Sequence, residues 1–399
     1  MKKVTHLVRW FLPYTASFIR NQIMYHERYA PKVVYLQQKE GDFQKEIATR
    51  IETANPFQRS FDRWVYGKSR MLTPAAKNRV KALLREQSPD VLHAHYGVDC
   101  MVYADVIREL GIPACVSFYG YDCTSFPKRF GGYGKRLLQQ HVFDNPGIRA
   151  VLAMTEDMKR DLLNLGCPEE KIIVHYYGTE TSPFFQEAAR PRGETINVLI
   201  ISGLQEKKGH CYLIDAFEKA GAATGLPMHL HIVGEGPLRE SIEQQVRSKG
   251  LTNVTLHGSV PYGSIAHLNQ LRKAHIFAHP SVTPPNGDKE GIPGAIIEAM
   301  AAGLPVISTY HAGIPYVLED QKTGILVPER DVAALAEAIA RLARDQAWRL
   351  RIARAGQAHA LEHLDVGIKE KELECIYDQL PAARRSLKNG QLPSNQLKI

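Results

Sequence analysis

The sequence predicts an α/β protein built as two doubly wound, Rossmann-like domains, each a parallel sheet with helices on both faces. Three observations predict it. At 399 residues the chain exceeds what one hydrophobic core ordinarily organises. Short apolar runs alternate with stretches whose apolar residues recur at helical spacing, the mark of parallel strands joined by right-handed crossovers. The alternation also occurs twice, with an unpatterned break between residues 178 and 194 that holds Pro183, Pro191 and Gly193.

The first domain, residues 1–184, takes its strands from 5–8, 32–36, 91–95, 114–118, 150–154 and 172–175. The second, residues 185–365, takes them from 197–201, 229–233, 254–257, 276–279, 305–309 and 324–327. Segments 157–165, 209–220 and 332–343 carry the helical spacing. A C-terminal helix covers 366–381, where Pro381 ends it. The polar residues 382–399, with Asn-Gly and Pro-Ser turns, are expected to form a flexible tail. Ligands of doubly wound sheets bind beyond the carboxyl ends of the strands, so two facing domains imply a central cleft.

Composition is that of an ordinary globular protein, with 44% hydrophobic and 23% charged residues, which excludes disorder over most of the chain. The six cysteines form no C-x-x-C pair. That spacing suits neither a zinc site nor a disulfide scaffold and reads as reduced thiols in a cytoplasmic protein. Arg9 interrupts the first apolar run, so residues 4–12 read as a buried strand rather than a secretory segment. No stretch reaches the roughly 18 apolar residues of a membrane span. The formal charge of +8 is concentrated at the start: residues 1–89 hold about ten more Lys and Arg than Asp and Glu. Arg59, Arg63, Lys68, Arg70, Lys77, Arg79, Lys81 and Arg85 contribute. This is either a solvated helix face or attraction to an anionic membrane at the inner face of the cytoplasmic membrane. No recognised motif supports nucleic acid as a partner.

The most informative stretch is Glu290-Gly-Ile-Pro-Gly-Ala-Ile-Ile-Glu298-Ala-Met-Ala-Ala-Gly303-Leu-Pro-Val-Ile. Pro293 is allowed at a helix start and Gly303 suits its C-terminal end. Such a helix start, Gly291-Ile292-Pro293-Gly294, presents partial positive charge and the N–H groups of its non-proline residues to a diphosphate. Glu290 falls just before the helix and Glu298 on its cleft-facing side, which sets two carboxylates along one ligand as acceptors for hydroxyls. The segment resembles the signature of retaining glycosyltransferase family 4, E-x7-E followed by A-M-A-x-G-x-P-V. Residues 281–293, Ser308-Thr309 with Gly313-Ile314-Pro315, and Thr323–Asp331 resemble the colanic acid and amylovoran exopolysaccharide branch of that family.

The resemblance covers most of residues 10–365. The loop Ser202-Gly203-Leu204-Gln205-Glu206-Lys207-Lys208-Gly209 is similar to the family's G-R-L-x-E-K-K-G, whose Arg and final Lys bind the donor diphosphate. Lys208 matches that Lys. Gly203 stands at the Arg position, which shifts the charge toward Lys207 or another residue. Val233-Gly234-Glu235-Gly236-Pro237 fails as a dinucleotide fingerprint, because its third glycine falls on Arg239, and it resembles a structural turn of the family. His257-Gly258 matches the region that meets the nucleotide base.

In the first domain, His93-Ala94-His95-Tyr96-Gly97 ends a strand where cleft residues belong. H-x-H also suggests a metal, but no third ligand is evident. A core histidine is the ordinary reading of either residue, and resemblance favours His95 as a cleft residue. Phe118-Tyr119-Gly120-Tyr121-Asp122 resembles the family's F-H-G-x-D, with Tyr119 in place of the His near the reacting sugar. Pro13-Tyr14-Thr15-Ala16-Ser17-Phe18-Ile19 resembles an acceptor-side loop, with Ala16 replacing a Glu.

The resemblance implies the GT-B arrangement and sugar transfer from a nucleotide diphosphate sugar, UDP- or GDP-linked, to a glycan or lipid-linked oligosaccharide, with retention. Glu290, Lys208 and His95 are the implied catalytic set. Lys207, His257, Gly258, residues 291–294 and Glu298 are donor-binding. Thr15, Ser17, Tyr119 and Asp122 lie on the acceptor side. No cofactor or divalent metal is expected, and no D-x-D occurs in the chain. The rival readings are an epimerase or phosphorylase on the same architecture, and a nucleotide-sugar-binding partner without turnover.

Overall fold

The structure, a computed structural model, describes residues 1–11, 17–38, 46–51, 55–69, 71–186 and 195–380. The chain divides into two compact units. The first is Met1–Tyr177 plus the return of the chain from Lys369, and the second is Gly178–Ile368. Each is doubly wound around a parallel sheet, the fold class the sequence predicts.

The first sheet holds β1 (Lys2–Phe11), β2 (Tyr29–Gln38), β3 (Ala48–Arg50), β4 (Val91–His95), β5 (Ala114–Ser117), β6 (Ile148–Ala153) and β7 (Ile172–Val174). Their order is β3-β2-β1-β4-β5-β6-β7, so the order reverses between β1 and β4. The second holds β8 (Ile196–Ile201), β9 (Met228–Val233), β10 (Val254–Leu256), β11 (Ile276–His279), β12 (Val306–Thr309) and β13 (Ile325–Val327). Their order is β10-β9-β8-β11-β12-β13. Every pairing is parallel. Covered on both faces, the central strands β4, β5, β11 and β12 are buried throughout, which is why they read as unbroken apolar runs.

Local signals set the helix ends. Thr155 caps the helix Glu156–Leu165 by accepting the Met158 N–H, and Gly166 ends it in the left-handed region. Asp331 caps Val332–Arg344 through the Ala334 N–H. The apolar face of that helix, including Leu335, Ile339 and Leu342, joins Val198, Ile200, Leu230 and Phe217 in the second unit's core.

The C-terminal helix, Val366–Gln379, begins in the second unit and ends in the first. Its Leu373 and Tyr377 pack with Val4, Tyr29, Val91, Cys115 and Ala150. Thr179 bridges to Asp365, which draws the segment after Gly178 into the second unit. The sequence-based cut near residue 185 therefore lies just inside that unit. The tail 382–399 lies outside the described residues. All six cysteines are free thiols, four of them buried.

Candidate functional site

The carboxyl end of β8 feeds the loop 202–209, which two glycines on neighbouring turns make possible. Gly234 follows β9 with φ 147°, and a Cβ there would stand 1.9 Å from the Ser202 carbonyl oxygen. A Cβ on Gly236 would stand 2.6 Å from the Leu204 carbonyl oxygen, and the Leu204 N–H donates to the Glu235 carbonyl. The Gly-Glu-Gly turn is thus structural, as its resemblance implies. Gly209 closes the loop at φ 72°, against the Pro280 carbonyl.

This loop brings two lysines to Glu290. Lys208 Nζ donates to Glu290 Oε2 at 2.7 Å, and Lys207 Nζ lies 3.3 Å from Oε1 and 3.1 Å from Asp288 Oδ2. Burial alone would raise the Glu290 carboxyl, but the two ammonium groups outweigh it and hold it near 2. Burial likewise opposes the Lys207 charge, and Glu290 with Asp288 overcomes it, so that lysine titrates above its ordinary value. The result is a part-buried patch with two positive groups around one carboxylate, able to take an anion on the lysines and hydroxyls on the glutamate.

Two residues that the sequence reading left without a role hold Glu290 in place. The Glu290 N–H donates to His311 Nε2 at 3.0 Å, and His311 Nδ1 meets Glu329 Oε1 at 2.6 Å. Nε2 must accept, so His311 carries its proton on Nδ1 and donates it to Glu329. Glu329 also receives the Thr283 N–H and hydroxyl. Burial would raise its carboxyl, but the Thr283 N–H and His311 lower it.

The helix Gly294–Ala301 follows with Pro293 as its extended N-cap, one position before the helix rather than within it. Gly303 takes φ 66° at the other end, where Gly303 and Leu304 N–H groups close on Met300 and Ala299. Gly291, Ile292 and Gly294 head the helix. Glu298 is buried, with Oε2 3.4 Å from His267 Nε2, so it faces the helix Ile265–Lys273. A Cβ on Gly294 would come to 3.5 Å from Glu298 Oε1, so the glycine leaves that carboxylate without a covering side chain on this side. His257 is exposed, Gly258 takes φ 73°, and the Gly258 carbonyl receives the Gly234 N–H. Gly203 is exposed without a positive φ, and a Cβ there meets only the Glu235 carbonyl at 3.7 Å.

In the first unit His95 is fully buried, which drives its pKa to about 3. Its Nδ1 meets the Tyr119 hydroxyl at 2.7 Å and its Nε2 meets His6 Nδ1 at 2.9 Å. His95 therefore has no surface of its own, and Tyr119, half-buried, is the group it presents. Asp122 is buried too and accepts the Gly97 and Tyr119 N–H groups, tying the ends of β4 and β5 together. Burial raises its carboxyl to about 6 against those hydrogen bonds. Thr15, with Pro13 and Ala16, lies outside the described residues, as does the Ser17 side chain. The H-x-H motif does have a third histidine beside it. His6 of β1 is the register partner of His93, and no sequence spacing signals that pairing.

Residues 27–182 match the model of Glycosyltransferase Family 4, and residues 195–345 that of Glycosyl transferases group 1. The amylovoran biosynthesis glycosyltransferase AmsK of Erwinia amylovora is 30% identical over 320 residues, 78% of this chain and 75% of AmsK. The chain belongs to glycosyltransferase family 4. WcaL of Salmonella typhimurium, assigned to colanic acid biosynthesis, is 33% identical over 64% of this chain, which spans 62% of WcaL.

The fold of this family 4 chain is shared with Anabaena HepE in complex with UDP, at a TM-score of 0.75 and 18% identity over 95% of this chain and all of HepE. The apo lipopolysaccharide outer core galactosyltransferase WaaB matches at 0.65 and 15% over 96% of this chain and all of WaaB. Within the family 4 signature, the structure joins Glu290 to Lys207 and Lys208. It places Glu298 against His267 and puts His95 with Tyr119 in the other unit. His311 stands two residues before the Gly-Ile-Pro that carries resemblance, and Glu329 within the matched segment ending at Asp331. A chemistry-bearing type beside a matched segment for His311, and inside one for Glu329, was the signal available.

Proposed function

We propose that this family 4 chain is a retaining glycosyltransferase of exopolysaccharide or surface polysaccharide biosynthesis, using a UDP- or GDP-sugar. The observation that carries the reading is the Lys208–Glu290 contact, which unites two motif residues 82 positions apart. Breaking the bond from the anomeric carbon to the diphosphate builds charge on the leaving phosphate. Lys208, Lys207 and the N–H groups of Gly291, Ile292 and Gly294 supply fixed positive charge to that phosphate, the main catalytic resource of such a site. These groups replace a divalent ion at the diphosphate. Glu290 holds sugar hydroxyls, Glu298 the ribose, and His257-Gly258 the base. Tyr119, oriented by His95, and the backbone pinned by Asp122 serve the acceptor. Retention follows from front-face attack by the acceptor hydroxyl. Incubating the protein with donor sugars and a lipid extract of the source bacterium tests this. Transfer to lipid with the donor's anomeric configuration, read by NMR, supports it, and an inverted product refutes retention.

Gly203 gives a second test. The position is open and its backbone suits any residue. Gly203→Arg restores the family's guanidinium, and one charge-assisted hydrogen bond of about 1.5–3 kcal/mol should lower the donor KM roughly tenfold or more. An unchanged KM would show that Lys207 already fills the role.

The first unit also carries the reading of membrane attachment. Lys77 and Lys81 pair with Asp105 and Glu109, and Arg79 pairs with Asp62, so those charges are partly neutralised. The helix Pro56–Ser69 instead exposes Phe57, Phe61 and Trp64 at i, i+4 and i+7, with Arg59 and Arg63 exposed beside them. No helix among the described residues is long and apolar enough to cross a membrane. This aromatic stripe docks on an anionic lipid surface, each basic residue adding about 1 kcal/mol. Phe61→Ala with Trp64→Ala should weaken binding to phosphatidylglycerol vesicles at least about tenfold. Equal sedimentation of the double variant and wild type would rule the helix out.

A further inference from the structure

The first unit hides a layer of histidines beneath the C-terminal helix, of which the proposed sugar transfer uses only His95, through Tyr119. β1 and β4 are hydrogen-bonded neighbours, with His6 opposite His93. His93 and His95 share one face of β4, because alternate residues of a strand point the same way. Three imidazoles therefore converge, with ring centroids 4.3 Å apart for His93 and His95 and 5.1 Å for His6 and His95. One ring nitrogen from each lies within 4.8 Å of the other two, and all three side chains are fully buried.

The partners of these rings have the form of a ligand set. His6 Nδ1 and His95 Nε2 face each other at 2.9 Å. Behind them, His95 Nδ1 is engaged by Tyr119 and His6 Nε2 by His26 Nε2 at 3.1 Å. His26 Nδ1 in turn lies 3.3 Å from Glu370 Oε2 and 3.5 Å from Glu374 Oε1. The two nitrogens of His93 reach Ser117 Oγ and the Tyr377 hydroxyl, so one of these bonds must give way for His93 to take an ion, leaving the other to fix the ring. Metal-bound histidines characteristically give one nitrogen to the ion and the other to a hydroxyl, carbonyl or carboxylate chain that fixes the ring.

Charge supplies a second, independent observation. Glu374 is buried and satisfied by the Glu27, Arg28 and Tyr29 N–H groups and the Arg28 guanidinium. Glu370, also buried, has neither oxygen hydrogen-bonded among the described residues. Burial, with Glu374 beside it, holds Glu370 toward its neutral form, and ionising it there would need positive charge nearby. A dication held one imidazole away, across His26, would supply it.

We propose that His6, His93 and His95 form a buried site for a divalent cation of the zinc class. Three neutral imidazoles favour zinc, copper, iron or nickel over calcium or magnesium. Zn–N bonds of about 2.0–2.1 Å set tetrahedral nitrogens roughly 3.4 Å apart, a distance that small ring rotations reach from the present set. The ion clamps β1 to β4 and, through His95, fixes the Tyr119 hydroxyl. The site belongs to the first unit and is separate from the diphosphate-binding residues, which belong to the second.

The test uses untagged full-length protein purified without immobilised metal. Mass spectrometry of the intact chain should find about one equivalent of zinc, or the protein should take up cobalt with the visible bands of a tetrahedral imidazole site and a raised Tm. His6→Gln and His93→Gln should lose the bands. His231→Ala should keep them; that change alters the stacked His229, His231 and His257 of the second unit, of which His257 is exposed, the obvious place for adventitious metal. A folded wild type that neither retains zinc nor takes up cobalt overturns the proposal. So do bands that survive in His6→Gln and vanish in His231→Ala.

Discussion

Glu290→Ala should reduce kcat/KM for sugar transfer by about 10²- to 10³-fold, the usual cost of removing one preorganised polar group at a site of developing charge. Two effects combine. The donor sugar loses its carboxylate acceptor, and Lys207 and Lys208 lose the partner that fixes both ammonium groups. Glu290→Gln separates them, because the amide keeps the shape and a hydroxyl acceptor but not the charge. It should therefore fall between wild type and Ala. The pH dependence has a definite sign. The carboxyl is held near 2 in the folded chain against an ordinary 4.5. Its contribution to stability is accordingly complete above about pH 4.5 and is lost as the pH falls toward 2. Wild-type unfolding measured between pH 7 and 3 should lose stability at the acid end. Glu290→Gln should lose less over the same range.

Gly209→Ala should destabilise the second unit by about 3 kcal/mol or more, among the larger single-site effects. The backbone there has φ 72°, and the new methyl would stand 1.9 Å from the Pro280 carbonyl oxygen. Neither contact is with a flexible side-chain end, so β11 or the lysine loop must move. Donor affinity should drop together with Tm, because Lys207 and Lys208 immediately precede this glycine. Gly221→Ala is the control. It lies within the helix His210–Thr224 with nothing near its Cβ, and alanine there should be neutral or stabilising. Equal Tm values for the two variants would contradict the packing argument.

Much of this fold was legible because parallel strands buried on both faces leave long apolar runs. All twelve strands expected from the sequence are present. β3 was not foreseen, since Ala48-Thr49-Arg50 is a three-residue edge strand with none of its residues buried. The C-terminal helix was placed along the chain correctly, but its return to the first unit depends on Leu373 and Tyr377 meeting β1 and β4, a tertiary fact. At the site, Glu290 and Lys208 were legible through their motifs, although their contact was not. His311 and Glu329 escaped because a buried histidine bonded to a distant carboxylate leaves no periodicity. His6 escaped for a related reason: only the register of β1 on β4 brings it to His93 and His95.

The central claim is that the lysine–glutamate patch at the head of the Gly294–Ala301 helix binds and activates a nucleotide diphosphate sugar. The most direct measurement is nucleoside diphosphate release by purified protein from a panel of UDP-, GDP- and ADP-sugars, during brief exposure to excess EDTA, with Glu290→Ala alongside. The account predicts release from one nucleotide class, surviving chelation and lost in the variant. A folded protein that neither releases nor binds any of these nucleotides, or equal release by Glu290→Ala, would contradict it.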